Sequence, residues 1–306
     1  MSGATQALLT GADVSVTSIA CPGDGTTSVQ ELVGSSMYEL CLVRSGSFLL
    51  RGSVVEGSAV EVFADPTVCL FGAPEHVVEV THPRPGGDLD TCVFLSEEVL
   101  ASLGGVSGLP ALSPRTREVS WLHRRLLALC WRDDTDSLAV EETALALFVA
   151  ALEQAEPGRW HAGRPQARDR RRLADEARAA LVADPTIGRV VDLAQMLGCS
   201  PHHLSRLFRA ETGHALAQFR TALRIELALE RVMQGEHNLA RVAADLGFAD
   251  HAHLTRTMRR TLGQTPSALR ALISSHRGSP STQRSRVVGS RALQALVPRP
   301  QPTAGD

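Results

Sequence analysis

The chain has 306 residues, 43% of them hydrophobic, which is enough for two domains with separate cores and argues against general disorder. Its net charge of −2 is unevenly distributed: residues 1–160 carry 9 arginines and 21 acidic residues, and residues 161–306 carry 22 arginines and 12 acidic residues. A basic C-terminal half is expected of a domain that binds a polyanion such as DNA. The sequence has no run of about 18 apolar residues and no basic-then-apolar leader, so we expect a cytoplasmic protein with no membrane partner.

Residues 1–35 are mostly small and polar, with a loop at PGDGTTS (22–28). From Tyr38 onward, short β-type runs follow one another at close spacing, which favours a small barrel or sandwich. The RSG tripeptide (44–46) between the first two runs predicts a hairpin. The predicted strands are 38–43, 47–51, 60–63, 67–71, 76–81 and 91–95.

Helical periodicity begins near residue 117 and continues to about 155. These helices present apolar stripes that either pack onto the β-structure or mediate homodimerisation, and the sequence leaves both open. Residues 156–166 are expected to be a linker, residues 168–275 to be helical throughout, and residues 276–306 to be a disordered tail. The stripes comprise Val119, Leu122 and Leu126, then Val140, Ala144, Leu147, Phe148 and Ala151.

The segment 189–213 has the pattern of a helix, a sharp turn and a second helix. Apolar residues at 190, 193, 194 and 197 form one face of the first helix. Gly198 permits a left-handed turn, Ser200 is a good N-cap, and Pro201 suits the first helical position. This arrangement is typical of a unit that places its second helix in the DNA major groove.

A similar pattern recurs about 50 residues further along the chain. Asn238 is a predicted helix cap, residues 239, 242, 243 and 246 repeat the apolar stripe, Gly247 repeats the turn, and Asp250 repeats the second cap. The outward chemistry repeats as well, since Ser205, Arg206 and Arg209 correspond to Thr255, Arg256 and Arg259. A longer helix at about 215–234 would be a rigid spacer between the units, and a final short helix would start at Thr265-Pro266.

The run LAQMLGCSPHHLSRLFRAETG, then RIELA, then VAADLGFADHAHLTRTMRRTLGQTPSALR resembles the AraC/XylS family of transcription regulators over about 105 residues. The resemblance implies double-stranded DNA as a partner, with RNA polymerase as a further candidate. By position, the resemblance implies that His202, Ser205 and Arg206 face the groove from the first recognition helix. Ala252, Thr255 and Arg256 would face it from the second recognition helix. The predicted DNA-binding residues are His202, His203, Ser205, Arg206, Arg209, Ala252, His253, Thr255, Arg256 and Arg259.

Three positions depart from the family pattern. Leu254 and Met258 stand where phenylalanine is usual, which predicts a looser second core, and Leu216 stands where proline is frequent, which leaves the start of the spacer helix open. Arg224 and Asp245 are expected to have structural roles, through an ion pair or a cap.

The β-rich half resembles the cupin-like sensor domains of the same family, which implies an α+β protein whose residues 1–160 bind a small-molecule effector. In this half His76 and His82 are six residues apart and no HxH motif occurs, so we predict no metal site, no cofactor and no catalytic residue. In the loop HPRPGGD, His82 and Asp88 are expected to cap a turn. The six cysteines form no CxxC pair and are expected to be reduced thiols. Two alternatives remain: a cupin-type metalloenzyme fused to helices, and a non-specific architectural DNA binder.

Overall fold

The computed structural model describes residues 4–23, 27–31, 37–55, 58–74, 77–103, 111–131, 136–155 and 165–274. Within these residues the strands are β1 (Ala4–Leu9), β2 (Val14–Cys21), β3 (Thr27–Glu31), β4 (Tyr38–Gly46), β5 (Phe48–Val55), β6 (Ser58–Ala64), β7 (Val68–Gly72), β8 (Val77–Thr81), β9 (Asp88–Leu95) and β10 (Leu112–Pro114). The helices are α1 (Glu97–Ser102), α2 (Arg117–Cys130), α3 (Ser137–Glu153), α4 (Pro165–Ala183), α5 (Val190–Met196), α6 (Pro201–Thr212), α7 (Leu216–Met233), α8 (Leu239–Asp245), α9 (His251–Leu262) and α10 (Pro266–Ser274).

The strands form two antiparallel sheets, so the α+β class with a β-rich N-terminal part is confirmed. One sheet has the order β1-β2-β9-β4-β7-β10 and the other β3-β8-β5-β6. Alternating residues of both sheets point into a shared interior, as the two-residue period of a strand requires. Cys41, Leu70 and Cys92 from the first sheet pack there with Phe48 and Val80 from the second.

The predicted hairpin at residues 44–46 is wrong. Strand β4 pairs with β7 and β9, whereas β5 pairs with β6 and β8. The chain therefore crosses from one sheet to the other between Gly46 and Phe48. Gly46 has φ +78°, and a Cβ atom there would lie 2.0 Å from the carbonyl oxygen of Gly87, so only glycine fits this corner.

The strands begin earlier in the chain than the predicted range of about 38–95, because β1, β2 and β3 lie within residues 4–31. In β2, VSVTSIAC, Val14 and Val16 are buried against the helices and alternate with partly exposed residues. Because small polar residues separate these valines, the apolar alternation of a half-buried strand is hard to recognise in the sequence. In the structure, β2 pairs with β9 along its whole length.

Helices α2 and α3 cover the outer face of the six-stranded sheet, which confirms that their stripes pack onto the β-structure. Phe71 of β7 meets Phe148 of α3 edge to face, with ring centroids 5.7 Å apart. Every stripe residue apart from the partly buried Leu122 is fully buried, and all pack in this core with Leu40, Leu42 and Val93.

The C-terminal helices pack around α7. Phe208 of α6 meets Phe219 of α7 with ring centroids 5.3 Å apart, and Leu254 and Met258 of α9 are fully buried against α7 and α8. Helix α7 begins at Leu216, where the side chain of Gln218 accepts a hydrogen bond from the backbone of Ala215. Leucine therefore suffices where proline is frequent.

Residues 168–274 are helical or in short turns, as predicted. His76, residues 156–164 of the predicted linker, and the predicted disordered tail at 276–306 lie outside the described residues.

Candidate DNA interface and ligand pocket

The first helix-turn-helix unit consists of α5 and α6, and its turn is built from the predicted residues. Gly198 adopts φ +65°, and the side chain of Ser200 accepts a hydrogen bond of 3.2 Å from the backbone N–H of His203. Pro201 occupies the first turn of α6, and Gly213 ends the helix in the left-handed conformation. The cap and the glycines fix where α6 starts and stops.

The second unit, α8 and α9, repeats this geometry. Gly247 has φ +71°, Asp250 accepts a hydrogen bond of 2.6 Å from the backbone of His253, and Gly263 ends α9 in the left-handed conformation. Asn238 caps α8 as predicted, accepting from the backbone of Arg241 at 3.0 Å. Two sequence-distant segments thus share one local structure, because the same caps and turn glycines recur in both.

The predicted DNA-binding side chains lie on the solvent side of α6 and α9. Arg206 and Arg256 are exposed and form no ion pair with any described residue, so both guanidinium groups are available to a partner. The ring of His253 has a local role, since its Nδ1 accepts a hydrogen bond from the backbone of Ala249 and its ring meets Phe248 edge to face. The exposed set is His202, His203, Ser205, Arg206, Arg209, His253, Arg256 and Arg259, and the partly exposed set is Ala252 and Thr255.

Two arginines of α7 bind the loop before the first unit, and one of them also binds the turn of the second unit. Arg224 donates to the carbonyl oxygens of Pro185, before α5, and Gly247, in the second turn, at 2.6 and 2.7 Å. Arg220 donates to the carbonyl of Ile187 at 3.0 Å. Burial lowers the pKa of Arg224 to about 10, which leaves it charged at neutral pH. The structural role expected for Arg224 is confirmed.

Asp245 has the structural role that the sequence predicts. Its carboxylate accepts from Arg231 of α7 at 2.6 Å and lies 3.8 Å from Arg241 of α8. The pair joins the spacer helix to the second unit at the protein surface.

Buried charges join α7 to the N-terminal part of the chain. Arg44 of β4 donates to Glu230 of α7 at 2.6 and 3.1 Å, and Arg124 of α2 reaches Glu230 at 2.8 Å and Glu226 at 3.1 Å. Arg115, ahead of α2, lies 3.4 Å from Glu226. The side chains of this cluster are no more than 7% exposed, so we name these five residues the interdomain charge cluster.

The electrostatics of this cluster favour the charged form of Glu230. Burial opposes ionisation of Glu230, but Arg124 and Arg44 hold its pKa below the ordinary value. Burial lowers the pKa of Arg115, while Glu226 opposes the shift. His123, which contacts Arg115, is fully buried, and burial together with the charge of Arg115 lowers its pKa well below the ordinary value. His123 is therefore neutral.

A second buried ion pair fastens the start of the DNA-binding region. Arg178 of α4 donates to Asp65, just after β6, at 2.8 Å, and its guanidinium lies 4.8 Å from the ring centroid of Phe63. Both charged side chains are at most 5% exposed. Helix α4 is therefore held by the four-stranded sheet, while α7 is held by the six-stranded one.

A cavity of about 80 Å³ lies between the two sheets. Apolar side chains such as Phe48, Leu50 and Val80 form one wall, and the other is lined by thiols and carboxyl groups of the six-stranded sheet. No arginine or histidine lines it within the described part of the chain. The thiol and carboxyl residues are Cys21, Glu39, Cys41, Asp88, Asp90 and Cys92.

Three of these side chains, Glu39, Cys41 and Cys92, bring their donor atoms close together. The side-chain donor atoms of Glu39, Cys41 and Cys92 all lie within 4.8 Å of one another. Burial raises the pKa of Glu39, opposed by a hydrogen bond with Cys92. Burial, with negative neighbours, raises the pKa of Asp90 well above its ordinary value, and one of its carboxyl oxygens has no hydrogen-bond partner.

Sequence reasoning missed this cluster because it searched for histidines and for local cysteine spacing. Glu39 and Cys41 alternate on β4 and share a face, and Cys41 lies directly opposite Cys92 of β9. The alternation is readable from the sequence, whereas the pairing of β4 with β9 is not. A second group, Cys21 with His82 and Asp88, closes the loop at 82–88 through a buried His82–Asp88 contact, in line with the predicted cap.

No helix among the described residues is both long enough and apolar enough to cross a membrane.

Comparisons with known proteins agree with this architecture. Residues 193–272 match the family described as a helix-turn-helix domain. A protein of Streptomyces lividans described as an AraC-like transcription regulator is 27% identical over 264 residues, which cover 81% of each chain. The HTH-type transcriptional regulator GlxA of Rhizobium meliloti is 32% identical over 78 residues, 26% of this chain and 24% of that one. The structure of unsaturated fatty acid bound ToxT from Vibrio cholerae is 13% identical, covers 88% of this chain and 99% of its own, and has a TM-score of 0.35.

The repeated units and the match over residues 193–272 define a helix-turn-helix protein. Similarity to the Streptomyces protein extends beyond these helices into the β-rich part. The chain is a DNA-binding transcription regulator similar to AraC-like regulators, with two helix-turn-helix units at its C-terminal end.

Proposed function

We propose that this regulator reads a specific duplex site with α6 and α9 together and responds to a small ligand held between its two sheets. The observation that carries the first half is the repeat itself. The two units place chemically matching side chains, Arg206 and Arg256, at matching exposed positions next to a small hydroxyl residue. A purely structural repeat would need only the buried residues and the caps to recur.

The arginines are suited to reading guanine. A guanidinium donates two parallel hydrogen bonds to O6 and N7 of guanine in the major groove, and such a contact discriminates by about 1–3 kcal/mol. Ser205 and Thr255 leave room for the base edge beside each arginine. Because α7 fixes the two units relative to each other, the two contacted positions lie about 10 base pairs apart, one turn of the duplex. Arg209 and Arg259, one turn further along each helix, contact phosphates.

Ligand control follows from what β4 connects. Glu39 and Cys41 of β4 line the cavity. Arg44, a few residues further along the same strand, forms an ion pair with Glu230 of the spacer helix α7. A ligand that shifts β4 therefore acts on the helix that sets the separation of the recognition helices. In this proposal the ligand is a signal rather than a substrate, and the chain acts in the cytoplasm, where the DNA and RNA polymerase are.

The chain acts as a homodimer through the outward face of α3. The inward stripe is used by the core, but Leu138 is 60% exposed, and the half-buried Val149 lies on the same line at helical spacing. Sedimentation of the full chain tests this: Leu138→Glu with Val149→Glu should convert a dimer into a monomer. A wild-type chain that is monomeric at micromolar concentration removes the dimer from the account.

The experiment for DNA reading is selection of bound duplexes from a random pool by the full chain. We expect one enriched sequence whose affinity exceeds that of random duplex by at least about 10³-fold, and whose binding weakens steeply with salt. Equal affinity for all duplexes would identify a non-specific architectural binder.

A further inference from the structure

The wall of the cavity formed by β4 and β9 carries an unusual set of groups. Glu39 and Cys41 are two residues apart on β4, and Cys92 and Asp90 are two residues apart on the antiparallel neighbour β9. All four line the cavity, and Cys41 and Cys92 face each other directly across the strand pair. Two strands thus present two thiols flanked by two carboxyl groups on a single surface.

The chemistry of this wall selects a cation. The polar groups that line the cavity are thiols and carboxyl groups, with no arginine or histidine among the described lining residues. Asp90 is 5% exposed, and one of its carboxyl oxygens faces no hydrogen-bond donor. A buried oxygen without a donor is costly until a partner satisfies it, and among thiols and carboxyl groups a cation can do so.

The size and the donor atoms narrow the ligand further. A cavity of about 80 Å³ is small beside the roughly 300–1,000 Å³ of sites for drug-sized organic molecules, so an ion with a few waters fits better. Two thiols with one carboxylate suit soft or borderline d¹⁰ ions. Around Zn²⁺, with Zn–S of about 2.3 Å, tetrahedral sulfur ligands lie about 3.8 Å apart, and the three donors already lie within 4.8 Å of one another.

We propose that Cys41, Cys92 and Glu39 bind one thiophilic d¹⁰ metal ion such as Zn²⁺, with Asp90 of the same cavity lining as a candidate for a fourth ligand. Binding releases the two thiol protons and forms two metal–sulfur bonds, with no change of oxidation state. This inference rests on the proposed function, because it names the class of the ligand that acts through β4 and Arg44 on the spacer helix. It departs from the sequence-based prediction that the chain has no metal site.

Metal binding is measured directly on the full chain, kept reduced with a phosphine. After incubation with Zn²⁺ and dialysis, elemental analysis counts the bound ion, and Co²⁺ substitution reports thiolate ligands through a sulfur-to-cobalt charge-transfer band. The variants are Cys41→Ser, Cys92→Ser and the isosteric Glu39→Gln. The matched control is Cys69→Ser, a buried thiol on the same sheet that packs toward the helices instead of the cavity. Circular dichroism confirms that each variant is folded.

We expect one ion per chain, a charge-transfer band, and a loss of at least about tenfold in Zn²⁺ affinity in each of the three site variants, with Cys69→Ser unchanged. No bound ion in the folded wild type, or equal affinity in Cys41→Ser and wild type, overturns the site. Affinity for the selected DNA with and without Zn²⁺ is measured in parallel. If the chain binds the selected DNA specifically but binds no metal, this inference is rejected and the proposal of DNA reading stands. If the chain binds metal but no specific DNA, the metal site stands and the proposal of DNA reading is rejected.

Discussion

Glu230→Gln should destabilise the whole chain far more than a surface substitution on the same helix. The carboxylate of Glu230 accepts from Arg44 at 2.6 and 3.1 Å and from Arg124 at 2.8 Å, and its side chain is 3% exposed. Glutamine matches the shape of glutamate but removes the negative charge. Three arginines of the interdomain charge cluster then share the single charge of Glu226.

The expected cost follows from burial. Removing one partner of a buried ion pair typically costs about 3–5 kcal/mol, because the remaining charge stays out of water without compensation. Glutamine keeps one acceptor oxygen, so we expect about 3 kcal/mol, the lower end. Arg231→Gln is the matched control: its pair with Asp245 has a similar distance of 2.6 Å, but both side chains are 40% exposed. Solvent screens that pair, and we expect a loss of about 0.5 kcal/mol.

Urea unfolding at pH 7, followed by circular dichroism and tryptophan fluorescence, measures both variants. If the cluster couples the two parts of the chain, circular dichroism and tryptophan fluorescence should give the same urea midpoint for wild type. In Glu230→Gln the two signals should change at different urea concentrations, or both midpoints should fall. Equal urea midpoints for Glu230→Gln and Arg231→Gln would show that the buried cluster does not couple the two parts of the chain.

Two further predictions concern the turn glycines and pH. Gly198→Ala and Gly247→Ala place alanine at φ +65° and +71°, which costs about 1–2 kcal/mol each, but only at Gly247 would the new Cβ lie 2.6 Å from the guanidinium of Arg224. Thermal melts should therefore show the larger loss for Gly247→Ala, and equal losses would count against the role of Arg224. The lowered pKa of buried His123 means that the unfolded chain binds its proton more readily, so stability is present above a pH of about 6.5 and is lost as the pH falls below it. Urea midpoints between pH 8 and 5 should fall less in His123→Gln than in wild type, and parallel curves would show that His123 does not contribute.

The DNA-binding units could be predicted from the sequence because their determinants are local. The residues Ser200, Asn238 and Asp250 cap the helices they were expected to cap, and Gly198 and Gly247 make the turns between them. Apolar residues at helical spacing then decide which face is buried. Each of these rules acts within a few residues, so a repeat makes the pattern unmistakable.

The N-terminal half was less predictable because its structure depends on which strands pair. The last three residues of β4 look like a hairpin turn, yet Gly46 directs the chain into the other sheet. The contact of Arg44 with Glu230 joins residues 186 positions apart, and the contact of Cys41 with Cys92 depends on strand register. Sequence spacing does not determine which strands pair. The interdomain charge cluster and the cavity wall of β4 and β9 are therefore visible only in the structure.

Whether Arg206 and Arg256 read bases is decided by measuring affinities across all single-base variants of the selected site. Wild type, Arg206→Ala, Arg256→Ala and Arg172→Ala are compared, the last being an exposed arginine of α4 outside the repeat. We predict that each of the first two substitutions abolishes the preference for guanine at one position, that the two positions lie about 10 base pairs apart, and that Arg172→Ala leaves every preference intact. If Arg206→Ala and Arg256→Ala weakened all sequences equally, with base preferences unchanged, both arginines would contact only phosphates and the account of sequence reading would be wrong.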